Sequence, residues 1–153
     1  MKLRISAICL SLALAGLNTA AAQKNNQWEQ HVYDQIIEAS RDLGVASREN
    51  GLSATVIEYF DGTIDSGDQN QVNIPVYPNR TYAIIAACDQ DCTDIDLIVH
   101  EQNGNEVVAD REIDDLPIVV FQTRSGYTYH FHAEMYQCST SLCYYGAALY
   151  ELN

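Results

Sequence analysis

Tyr127-Thr128-Tyr129-His130-Phe131-His132-Ala133-Glu134-Met135-Tyr136 alternates without a break. Tyr127, Tyr129, Phe131, Ala133 and Met135 fall on one side of an extended chain, and Thr128, His130, His132 and Glu134 on the other. Side chains in a strand repeat every two residues, so this pattern reads as a half-buried β-strand. A strand with one apolar and one polar face belongs to an antiparallel sheet that packs on a core and faces water. The flanking sequence repeats the theme. Arg124-Ser125-Gly126 turns the chain before this strand, and apolar or β-branched runs at 117–122 and 143–150 lie on either side.

Working back toward the start, Gln102-Asn103-Gly104-Asn105 separates runs at 96–101 and 106–109. Asn-Gly between such runs marks a hairpin, because both residues tolerate positive φ. Further strands are expected at 81–87, at 72–77, where Pro75 points to a sheet edge, and at 55–60. Asp61-Gly62 and Asp65-Ser66-Gly67-Asp68 carry turn chemistry. Eight short strands at near-regular spacing predict a mainly β fold, an antiparallel β-sandwich of jelly-roll-like form, over residues 54–153.

Residues 23–50 read differently. Trp28, Val32, Ile36, Ala39 and Leu43 draw one apolar stripe at helical spacing. This predicts one N-terminal α-helix over 25–43, capped by Asn25 or Asn26 and ended by Gly44. A connector with Asn50-Gly51 as its turn follows.

The first 22 residues have the form of a signal peptide. Lys2 and Arg4 precede a short apolar run, and Ala20-Ala21-Ala22 supplies small residues for cleavage. The run is shorter than the about 20 residues of a membrane span, and no later run reaches that length, so no transmembrane segment is expected. Leu17 follows Leu14-Ala15-Gly16 where a lipoprotein would carry cysteine. Periplasmic or secreted placement follows. Losing Lys2 and Arg4 takes the formal net charge from −13 to −15. Such a chain repels phosphate, so nucleic acid is not an expected partner. An unidentified envelope or extracellular protein or polysaccharide is.

Cys9 leaves with the leader, and Cys88, Cys92, Cys138 and Cys143 remain. An even count in an exported chain reads as two disulfides. Each close pair sits at a bend between apolar runs, which favours Cys88–Cys92 and Cys138–Cys143 and leaves a cross-linked pairing open. The rival is a four-cysteine zinc site, for which the spacings pass.

Asp89, Asp91, Asp94, Asp96 and Asp110, with Asp114 and Asp115, form the densest acidic set. Calcium takes six to eight oxygen ligands and is the candidate cofactor here, whereas the competing reading is that these aspartates cap turns. Asp61, Asp65 and Asp68 are a weaker second set. His130 and His132 share a strand face with Glu134, a set that suits zinc or iron and makes a metal-dependent enzyme the alternative reading. His31 and His100 have no partner in sequence. Tyr136, Tyr144, Tyr145 and Tyr150 are the tyrosines offered for stacking against sugars. No Gly-x-Ser-x-Gly elbow is present, and no catalytic residue is assigned.

Tyr82-Ala83-Ile84-Ile85, Asp94-Ile95-Asp96-Leu97, Asn103-Gly104 with Asp110, Pro117 and Gly126-Tyr127-Thr128-Tyr129 occur in an order that resembles the bacterial pre-peptidase C-terminal domain. The resemblance covers residues 82–150. It implies a compact, non-catalytic β-sandwich, of a kind whose members bind collagen, polysaccharide or calcium. The four cysteines are not general to that family. The expected function is therefore exported, non-catalytic binding or support in the cell envelope, with a hydrolase inhibitor as a further alternative.

Overall fold

A computed structural model describes residues 19–153, with side chains from Gln27 onward. Most of the expected leader lies outside the described residues. The rest forms one helix, α1 (Thr19–Glu49), and eight strands: β1 (Ala54–Asp65), β2 (Gln69–Ile74), β3 (Thr81–Cys88), β4 (Cys92–Glu101), β5 (Glu106–Asp110), β6 (Ile118–Gln122), β7 (Tyr129–Cys138) and β8 (Leu142–Leu152).

The strands pair from the outside in. β1 pairs with β8, β2 with β7, β3 with β6 and β4 with β5, all antiparallel. Pairing of β3 with β8 and of β4 with β7 joins these into two four-stranded sheets, β1-β8-β3-β6 and β2-β7-β4-β5. The chain behaves as one long hairpin rolled up on itself, which is the eight-stranded jelly roll.

The core lies between the sheets. β7 supplies Tyr129, Phe131, Ala133 and Met135, and β4 supplies Ile95, Leu97 and Val99. β3 and β8 answer from the other sheet with Tyr82, Ile84, Ala86, Tyr145, Ala147 and Leu149. Phe131 meets Phe60 edge-on, with ring centroids 5.6 Å apart. Tyr145 and Tyr150 are buried and so offer no surface for stacking, whereas Tyr136 is exposed. Tyr145 fills the core because Gly62 opposite it lacks a Cβ, and a Cβ there would sit 3.3 Å from the tyrosine ring. A strand glycine often marks such a close approach. β1 runs straight through Asp61-Gly62, where the residue types predict a turn, because both residues stay paired in register with Gly146 and Tyr145 of β8.

β3 and β8 are buried on both faces, because α1 covers the outside of their sheet. Val32, Ile36 and Ala39 pack on Ala83, Ile85, Ala87, Ala148 and Tyr150. The helix comes close enough that a Cβ on Gly146 would lie 2.8 Å from Val32 Cγ1. Ser40 Oγ and Tyr150 Oη are hydrogen-bonded across this interface. The apolar stripe is the one expected, but the helix is longer. Asn25 and Asn26 lie inside it, and it passes through Gly44 to end at Glu49. Its stop is Gly51 (φ 72°), whose positive φ lets Leu52 N–H turn back onto the Ser47 carbonyl. Gly44 does not adopt a positive φ, and the helix continues through it.

Cys88–Cys92 bridges the β3–β4 turn and Cys138–Cys143 the β7–β8 turn. Cys92 and Cys138 are cross-strand neighbours, so both bridges brace the same end of the sandwich. Neither the crossed pairing nor a four-cysteine zinc site forms, since every one of these sulfurs is spent in a bridge. β2 is an edge strand, as Pro75 indicates, but it covers Gln69–Ile74 and ends just before the proline.

Candidate functional site

The two sheets differ on their outer faces. One carries α1; no helix covers the outside of β2-β7-β4-β5 among the described residues. Register puts three rows of side chains on that open face. Asn73, His130, His100 and Glu106 form the first, and Gln71, His132, Ile98 and Ala109 the second. Gln69, Glu134 and Asp96 form the third. Alternation on β7 fixes one column and alternation on β4 the next.

His100 stands directly opposite His130, and His132 sits one row along on the same face. Cross-strand neighbours lie roughly 5 Å apart and diagonal ones within reach of rings, so three imidazoles gather. Ring centroids are 5.5 Å apart for His100–His130, 4.7 Å for His100–His132 and 5.2 Å for His130–His132. One nitrogen from each lies within 4.8 Å of the others, and among the described residues this is the group of three potential metal ligands so placed. His132 Nε2 is 3.1 Å from Gln71 Oε1. With an amide oxygen facing it, Nε2 carries the proton and Nδ1 keeps the lone pair. His100 Nδ1 is buried without a hydrogen-bond partner. Burial holds the proton affinity of all three rings below that of a free histidine. Neighbouring imidazoles add to this: His130 acts on His100, His132 on His130, and His100 on His132. The rings are neutral donors at pH 7.

His130 and His132 therefore do share a site, and its third member is His100, which sequence spacing leaves unassigned. Glu134 lies in the next row, beside Asp96. The signal for His100 was present in part, since Asp94, Asp96 and His100 alternate along β4, but nothing local states which strand lies alongside.

The aspartates are spread over several places. Asp89 is buried in the β3–β4 turn, where its carboxylate accepts N–H groups from Asp91 at 3.1 Å and Tyr144 at 2.8 Å. Asp91 is in the same turn. Asp110 closes β5 and accepts from Glu112 and Ile118, and Asp114 accepts from Leu116. In the second set, Asp61 accepts from the Tyr144 hydroxyl and Asp68 from Gln69 N–H. Asp94 and Asp96 lie on the open face. Burial, then the charges of Asp94 and Glu134, push the Asp96 carboxyl up to about 6, with Arg111 opposing them and Asp110 adding to them.

That shift predicts a measurable pH effect. A carboxyl that binds its proton more tightly folded than unfolded favours folding at low pH, and this contribution is lost as pH rises through its folded value. Asp96→Asn is expected to raise stability by about 1–3 kcal/mol at pH 7.5, with the gain fading toward about pH 4. Melting temperatures of both proteins across that range, in buffer with EDTA, decide it. A variant no more stable at pH 7.5 contradicts it.

An open depression of about 360 Å³, lined by Gly67, Asp68, Gln69, Glu134, Met135 and Tyr136, continues the third row toward the β2 edge. No helix of the described residues is long and apolar enough to cross a membrane.

No family model matches the chain, and a search of curated proteins gave no match. Solved structures similar to it include an Aeromonas hydrophila periplasmic inhibitor of g-type lysozyme, PliG. Its TM-score is 0.42 at 10% identity, over 68% of this chain and 90% of that one. A CBM4 structure matches with TM-score 0.39 at 14% identity, over 60% and 73%. A carbohydrate-binding module from Cellvibrio mixtus lichenase 5A, solved with cellotriose, matches with TM-score 0.34 at 14% identity, over 65% and 88%.

Proposed function

We propose that this is an exported, non-catalytic binding protein of the cell envelope whose ligand face is the open side of β2-β7-β4-β5. The observation that carries the reading is the asymmetry of the sandwich. One sheet has the outer faces of its central strands, β3 and β8, covered by α1. The other presents ordered rows of Asn73, Gln71, His100, His130, His132 and Glu134 to solvent, with Tyr136 exposed beside them. Such rows offer amide, imidazole and carboxylate groups on a rigid frame, the combination that recognises a polysaccharide or a polar protein surface. Two disulfides support an oxidising compartment.

The reading is tested by co-sedimentation with isolated envelope polysaccharide and by pull-down of envelope proteins. Asn73→Arg with Tyr136→Ala should abolish capture, whereas Glu38→Lys on the exposed side of α1 should leave it intact. Equal capture by all three proteins, or turnover of a substrate by the purified chain, overturns the reading.

A further inference from the structure

We propose that His100, His130 and His132 form a binding site for one divalent transition ion, Zn²⁺ or Cu²⁺, on the open face. The site does not rest on the binding role above, because it is read on the isolated protein without any macromolecular partner. Three observations converge. Donor nitrogens of three histidines from two paired strands already lie within 4.8 Å of one another. Ligands at about 2.1 Å around one tetrahedral ion sit about 3.4 Å apart, so modest side-chain rotation closes the site. His100 Nδ1 is buried with no hydrogen-bond partner, a state a metal bond relieves. Gln71 holds the Nε2 proton of His132, the outer-sphere contact that fixes tautomer and ring orientation in metal sites.

The donor set selects the ion. Imidazole suits zinc, copper and nickel, whereas calcium and magnesium require oxygen. The four cysteines beyond the leader are spent in bridges and do not compete for the ion. Glu134 and Glu106 set negative charge around the rings and Arg111 sets positive charge. Three protein ligands leave a fourth position open to water or to a ligand group, the arrangement of an accessible rather than a closed structural site.

Isothermal titration of untagged, EDTA-dialysed protein with ZnCl₂ and CuCl₂ tests the site. One ion per chain is expected, bound more tightly as Cu²⁺ than as Zn²⁺, with no competition from millimolar calcium. His100→Ala and His132→Ala should each weaken binding by more than about tenfold, and Gln71→Leu by about tenfold. His31→Ala should change nothing. The visible absorption of the Cu²⁺ form should disappear in His100→Ala, and His100→Gln serves should the alanine variant melt early. Absence of saturable binding overturns the proposal, as does binding that survives in His100→Ala/His132→Ala, which assigns the ion elsewhere on the chain.

Discussion

Phe131→Ala is expected to lower stability by about 3–5 kcal/mol. Phe131 is fully buried at the middle of β7, on the face between the sheets. Val72 and Val99 are its cross-strand neighbours, and Phe60 reaches it from β1 in the opposite sheet. Truncation removes the ring's transfer energy and leaves a cavity that two disulfide-braced sheets cannot collapse to fill. A domain of this size melts about 3–6 °C lower for each kcal/mol lost, so the midpoint should drop by at least about 10 °C. Phe131→Leu keeps most of the volume and should cost about 1–2 kcal/mol. Thermal melts of the three proteins give the order. A Phe131→Ala melt within about 2 °C of wild type is incompatible with this packing.

Ile36→Asp should detach α1 while the sandwich stays folded. Ile36 is buried against Ala83, Ile85, Ala87, Ala148 and Tyr150, all apolar or nearly so. An ionised carboxylate there costs several kcal/mol unless it is paired. In the variant the buried helix side chains left to hold it are Val32, worth roughly 1.5–3 kcal/mol, and the small Ala39, so undocking becomes competitive. Trypsin reports the outcome, because Arg41 and Arg48 lie in the helix and are exposed. They should be cut rapidly in the variant and slowly in the wild type. The uncovered sheet should bind a hydrophobic dye. Unchanged proteolysis at both arginines would show that the helix is not held by this stripe.

Both substitutions fall where the sequence speaks most clearly. Strict alternation from Tyr129 to Met135 and the stripe through Val32, Ile36 and Ala39 each report which face a residue buries, and the structure buries those faces. Turn chemistry spoke less clearly. Asp61-Gly62 carries the residue types of a bend, but the glycine serves a distant neighbour, Tyr145, and the strand continues. Gly44 looks like a helix stop, yet it keeps a helical φ and the helix runs on to Glu49, where Gly51 supplies the positive φ that ends it.

The candidate site was half legible for the same reason. His130 and His132 announce a shared face because two residues separate them. His100 joins them only through the register of β4 on β7, and register between strands 30 residues apart is set by the whole roll rather than by any local pattern. The aspartates near Cys88 and Cys92 divide instead. Asp89 sits in a turn, whereas Asp94 and Asp96 reach the open sheet face, where their charges meet those of Glu134 and Asp110.

The outside-in pairing of the strands has a consequence for how the molecule comes into being. The partner of β1 is β8, the strand farthest from it along the chain, and Ser53 is hydrogen-bonded to Asn153. Neither sheet can be completed on a nascent chain before β7 and β8 have emerged, so the polypeptide stays open through most of its synthesis. Its rolling-up then depends on contacts that join the two ends of the sandwich sequence, which places it among slow folders, on the order of milliseconds to seconds.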